Sequence, residues 1–217
     1  MKKYYTLVLL VFLLIFYSCI EHEVIPPPVK EVELKCLFSA SIDTIDYKLE
    51  EDKEGFHCKA EQAKEVLPAP MPSTVIYYSS MLSNQKLDKI QVKIGKALFD
   101  NQSTSDPTIE TFEAFFIDNY NPDFKKDGDN GVEVIFTNSQ GVKWRSNPHS
   151  TNNQNFEFST LSLKSDENGD YMTFVADFSC FLYNYENEDN PDFDEPVDSI
   201  YVLNARYTNY FRRKNPS

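Results

Sequence analysis

Glycine, tryptophan and positive charge are scarce in this chain of 217 residues: 6 Gly, 1 Trp, and 21 Lys and Arg against 34 Asp and Glu. So little glycine excludes a collagen-like or glycine-rich low-complexity chain. The shortage of basic residues leaves a net charge of −13. That charge repels phosphate backbones and speaks against a nucleic-acid partner. Catalytic signatures are missing as well. No G-x-S-x-G, P-loop or G-x-G-x-x-G motif occurs, which removes the nucleophile-elbow hydrolases and the common nucleotide-binding folds. There is no H-E-x-x-H or C-x-x-C, so spaced zinc and thioredoxin-like motifs are out. His22, His57 and His149 have no spaced partner. These absences predict a protein that is not an enzyme and has no resident cofactor.

Aromatic residues are plentiful, with 17 Phe and 13 Tyr. They pack well on pleated surfaces and favour strands. The N-terminus has its own pattern: Lys2 and Lys3 precede an apolar run from Leu7 to Ile15, then Ser18 and Cys19. The run is shorter than the roughly 20 residues a spanning helix needs. It has the proportions of a signal-peptide core. Phe16-Tyr17-Ser18-Cys19 resembles a lipobox of the Bacteroidota type, with Phe16 and Tyr17 departing from the usual Leu and small residue. The resemblance implies cleavage after Ser18, diacylglycerol on Cys19, acyl chains such as palmitate, and an outer-membrane location, periplasmic or surface-exposed. Glu21 and Glu23 resemble the signal for the outer face. Acyl chains contribute about 0.8 kcal/mol per buried CH₂, so such an anchor is durable. Pro26-Pro27-Pro28 predicts an extended spacer. The expected organisation is a signal peptide over 1–18, a lipidated Pro-rich tether over 19–31, and a single β-sandwich domain over 32–217.

Period-two alternation marks strands at Val32–Ile42, Thr74–Ser80 and Asp88–Phe99. Leu67 to Pro72 alternates prolines and predicts an extended loop; residues 60–66 read as a helical turn. Ser105-Asp106-Pro107 opens a helix with Ile109, Phe112, Phe115 and Phe116 on one stripe, stopped by Asn121-Pro122. Two hairpins follow. Val132–Phe136 turns at Asn138–Gly141 and returns through Trp144, which the register sets opposite Phe136 on the apolar face. Phe156–Leu163 turns at Asp166–Gly169 and returns through Phe174, Ala176, Phe178 and Cys180. Ser199–Phe211 is the last strand. The fold class is mainly β: an antiparallel β-sandwich of about eight strands with one covering helix. Phe38-Ser39-Ala40-Ser41-Ile42-Asp43 is similar to the opening strand of small β-rich Bacteroidota lipoproteins. Phe174–Phe178, Asp198–Tyr201 and Asn204–Tyr207 resemble their closing pair. Thr44 replaces their usual Gly, and the resemblance implies no activity.

Three cysteines follow Cys19, an odd number for an oxidising compartment. Cys36 and Cys180 both fall on apolar strand faces, which favours their pairing. Cys36 with Cys58 is the alternative, and the cysteine left over reads as a small buried hydrophobe. Asp123, Asp127 and Asp129 supply oxygen ligands of the kind Ca²⁺ takes, without the EF-hand spacing; solvated turns are the alternative, as for the acidic stretch Glu186–Asp198. Tyr77-Tyr78, Tyr183, Tyr185, Tyr207 and Tyr210 are the candidates for exposed aromatics. The sequence therefore predicts a non-enzymatic cell-envelope lipoprotein that binds a ligand or partner or has a structural role. A carbohydrate-binding or glycan-processing accessory protein is the alternative. A hydrolase would need two carboxylates about 5–10 Å apart in a cleft.

Overall fold

Alternation becomes strand after strand in the computed structural model, which describes residues 31–100, 106–125, 130–146, 154–185 and 196–214. The expected signal peptide, Cys19 and the part of the expected tether before Glu31 lie outside these residues. In chain order the elements are β1 (Leu37–Ile42), β2 (Ile45–Glu50), β3 (Phe56–Glu65), β4 (Ser73–Ser83), β5 (Lys89–Phe99), α1 (Ile109–Asp118), β6 (Gly131–Thr137), β7 (Lys143–Ser146), β8 (Asn155–Asp166), β9 (Gly169–Asn184) and β10 (Asp198–Arg213). Among the described residues the protein is mainly β, with one helix. Its ten strands form one hydrogen-bonded antiparallel sheet in the order β2-β1-β10-β9-β7-β6-β5-β4-β3, with β8 also on β9. The two layers of the expected sandwich are parts of this one sheet, curled into a half-barrel. The Asn209 side chain of β10 donates to the Ser80 carbonyl of β4 (3.1 Å) across the interior.

The chain itself requires the curl. β2 and β3 are the two edges of the long path, yet only Glu51–Gly55 joins them. Within that turn, Asp52 N–H donates to Phe56 O (3.0 Å) and Phe56 N–H to Lys53 O (3.0 Å). A flat sheet would hold its edges many strand spacings apart, at about 4.8 Å each. The edges therefore meet at a seam, and a disulfide crosses it: Cys36, just before β1, bonds Cys58 in β3, with Cα atoms 5.7 Å apart.

That bond corrects the favoured pairing of Cys36 with Cys180. Both side chains face the core, but position along the strands separates them. Leu37 pairs with Thr208, and Thr208 with Val175. Cys180 lies further along β9, opposite Val202, which pairs with Ile42 at the far end of β1. Cys36 falls one residue before Leu37, level with Phe174, so the offset along the strand is roughly 20 Å at 3.4 Å per residue. Cys180 is a buried free thiol whose pKa burial pushes far up. Closing a loop of sequence separation 22 is worth about 3 kcal/mol. We expect Cys36→Ser/Cys58→Ser to lower the unfolding free energy by about that amount in urea titration. An unchanged value would show that the seam holds without the bond.

Residues 60–66 are not a helical turn. Most of them belong to β3, where Glu61 pairs with Tyr78 and Lys64 with Val75. An edge strand buries little, so its charged residues imitate a helix surface, and those charges guard the edge against further pairing. β2 was not legible either: Leu49 is its one buried residue. The remaining strands fall near their expected places. Phe136 pairs with Trp144, and Gly141 takes φ +81°, as the turn requires. α1 starts later than Ser105-Asp106-Pro107 suggests: Thr108 is the N-cap, its hydroxyl accepting from Thr111 N–H. Phe112 and Phe116 are fully buried and plug the interior between β4 and the β8–β10 layer. No helix among the described residues is long and apolar enough to cross a membrane.

Candidate functional site

Among the described residues β8 has one strand neighbour, and part of β6 also lacks a second, so the wall of the half-barrel has a gap there. The segment after α1 fills it. Asn119 Nδ2 donates to Phe115 O (2.7 Å) and ends the helix. Tyr120 O then accepts from Phe158 N–H of β8 (2.8 Å). A few residues on, Val132 N–H of β6 donates to Asp123 O, and Lys125 N–H donates to Val132 O, both at 2.9 Å. This makes a parallel bridge between Phe124 and Val132. The approach demands glycine at the start of β6. A Cβ on Gly131 would lie 2.3 Å from Asp123 O.

Where this segment meets β8, a groove of about 330 Å³ opens. Phe124 and Phe156 form its floor, edge to face with centroids 6.3 Å apart. Asn121, Asp123, Gln154, Asn155 and Glu157 also line it, with Gln154 Oε1 buried. Asn121, Asp123, Asn155 and Glu157 are exposed, whereas both Phe are buried. Planar amides and carboxylates over an apolar floor suit a small polar ligand that offers several hydrogen-bonding groups along with some carbon surface. Glu157 continues a row across the outer face, through Asp177 to Arg206, and Arg206 pairs with Asp177 at 3.1 Å. A second groove, of about 310 Å³, lies between the Ala69–Pro72 loop and the end of β5. Among the described residues Asp100 is the one charged residue in its lining, so it has less to offer a polar ligand.

The sequence-derived candidates scatter over the molecule. Asp123 reaches the groove. Asp127 and Asp129 lie outside the described residues, as do His22, His149 and Cys19, so the calcium reading has one described ligand. Tyr183 and Tyr185 are half-buried at the end of β9. Tyr210 is half-buried and meets Tyr171 edge to face. Two expected surface rings are corrected. Tyr207 is fully buried, packed against Phe38 and Phe174. Tyr77 is fully buried against Phe112 and Phe116. Burial drives both phenol pKa values upward. A register shift between Val202 and Ala205 puts one extra residue into β10. Ile200 and Val202 before it, and Ala205 and Tyr207 after it, all point inward. On the outer face, Tyr201 and Phe181 pair across strands with centroids 4.5 Å apart, a contact the sequence reading did not single out.

Asn121, Gln154, Asn155 and Glu157 were also missed as site residues. Asn121 read as a helix stop, Asn155 fell just before the expected Phe156–Leu163 strand, and Glu157 drew no reading of its own within it. No spacing links 121–124 to 154–157, so the sequence holds no signal that joins them. Glu51 was missed too: it touches both cysteines of the seam. Comparison with protein-family models, with curated proteins and with solved structures gives no match.

Proposed function

We propose that this chain is a non-enzymatic lipoprotein of the cell envelope, held at the outer membrane by acyl chains on Cys19, whose β domain binds a ligand in the groove between the 121–124 segment and β8. The binding half rests on one observation: a groove at the patched gap of the barrel lined by Phe124 and Phe156 together with Asn121, Asp123, Gln154, Asn155 and Glu157. The anchoring half rests on the Leu7–Ile15 run and on Ser18-Cys19. The likeness of Phe38–Asp43 and of the β9 and β10 motifs to small Bacteroidota lipoproteins supports the same reading. Mass spectrometry of the native protein tests the anchor. The expected N-terminus is residue 19 with a thioether-linked diacylglycerol; retained Met1 or an unmodified Cys19 refutes it.

Carbohydrate binding is the favoured form of the ligand reading. Side-chain amides and carboxylates bond pairs of sugar hydroxyls, and the small apolar surface that the buried Phe124 and Phe156 leave at the groove can meet the C–H groups of the ring without stacking on it. Asp123 and Glu157 are both exposed, unlike a glycosidase acid held in an apolar pocket. We expect a glycan array to give specific hits that Asp123→Ala/Asn155→Ala weakens by tenfold or more, about 1.4 kcal/mol. Folding stability should move by less than about 0.5 kcal/mol per site, since both side chains are exposed. Hits that survive the double substitution would remove the groove from the binding function. Turnover of a bound glycan would replace binding with hydrolysis.

A further inference from the structure

We infer that the seam is also a latent metal site: when the Cys36–Cys58 bond is opened, the two thiolates and the Glu51 carboxylate take one thiophilic divalent cation of the Zn²⁺ kind. The three side chains come from separate segments: the lead-in to β1, the β2–β3 turn and β3. Their ligand atoms all lie within 4.8 Å of one another. Tetrahedral Zn²⁺, with Zn–S near 2.3 Å and Zn–O near 2.0–2.2 Å, spaces its ligands about 3.5–4 Å apart. Small rotamer changes would therefore seat an ion, with water in the fourth position.

The carboxylate is already oriented for this. Cys36 N–H donates to Glu51 Oε2 (3.2 Å), a backbone contact of the kind that fixes the direction of a metal-ligating group. Glu51 Oε1 then lies 3.4 Å from Cys58 Sγ. In the disulfide that sulfur carries no proton, so the contact is not a hydrogen bond. A negative oxygen beside a sulfur without a proton gains nothing from it. A cation shared by both removes that mismatch. Cys36 is buried, while Glu51 and Cys58 are half-buried, which leaves an entry path and room for the water.

The chemistry balances with a dithiol reductant, small or of the thioredoxin class. Two electrons and two protons pass to the disulfide, giving two thiols, and the reductant becomes a disulfide. Metal binding then releases two thiol protons to solvent. The seam is thus clasped covalently when oxidised and through the ion when reduced. This is independent of the ligand groove and of the membrane anchor.

The test uses the full chain with Cys180→Ala, reduced with a phosphine and dialysed against Co²⁺ and, separately, Zn²⁺. We expect one metal per chain, a thiolate-to-Co²⁺ charge-transfer band, and no band in the oxidised chain. Glu51→Gln should weaken Zn²⁺ binding by more than about tenfold while leaving the melting of the oxidised chain unchanged. If the reduced chain loses its near-ultraviolet aromatic signal, Zn²⁺ should restore it. The absence of a thiolate band, a band that persists in Cys36→Ser/Cys58→Ser, or equal affinity in Glu51→Gln would each overturn the site.

Discussion

Phe116→Ala is expected to lower the unfolding free energy by about 3–5 kcal/mol, among the largest effects of a single truncation in this protein. The argument starts from α1. A ten-residue helix is marginal in water without tertiary packing, and α1 keeps just two fully buried side chains, Phe112 and Phe116. Phe116 is the more connected. Its ring stacks on Phe211 (centroids 4.9 Å apart) and meets Phe112, Phe115, Tyr77 and Phe158. These rings come from α1, β4, β8 and β10, so one side chain ties the helix to both layers of the curled sheet. Aromatic neighbours are stiff and fill a hole poorly, which places the cost at the upper end for core truncation. Urea unfolding should show a lower midpoint with little change in slope. A loss below about 1 kcal/mol would mean that the neighbouring rings close the cavity and that α1 is held by other contacts.

The second large effect is electrostatic. Asp170 and Arg213 are cross-strand partners on β9 and β10, and both are buried. The Arg213 guanidinium bonds the Asp170 carboxylate, and its Nε donates to Pro107 O (2.6 Å) at the lead-in to α1. Ser165, opposite Asp170 on β8, donates to the other carboxylate oxygen (2.6 Å). The row thus links three strands to the helix start. Asp170→Ala removes the carboxylate that neutralises a buried guanidinium and is expected to cost about 3–5 kcal/mol. The pair itself is a weak net stabiliser, because desolvation offsets most of its attraction. Asp170→Leu/Arg213→Met should therefore recover most of the loss. A double substitution as damaging as the single one would show that the net contribution lies in the hydrogen bonds to Ser165 and Pro107.

Legibility in the sequence followed locality. The 131–146 hairpin reads correctly down to Trp144 opposite Phe136, because a four-residue turn with Gly141 fixes its register. The stripe Phe112–Phe116 reads correctly because helical spacing is a local signal. β2 and β3 did not read, since edge strands bury too little to impose alternation. Tyr207 read as a surface candidate because one bulged residue in β10 reverses which side later residues face. Within the groove, Asp123 stood out by its acidic neighbours. Glu157 and Asn155 did not, since ordinary strand positions look the same whether or not another segment lies beside them.

Amino-acid order alone decided the strand-rich class, the covering helix and the hairpin register. Each follows from periodicity or turn chemistry within a short window. Tertiary structure decided that the two sheet edges meet, that Cys58 rather than Cys180 bonds Cys36, and that the 121–124 segment lies against β8. Those outcomes depend on where distant stretches land once a sheet curls, and no short window of residues carries that distance.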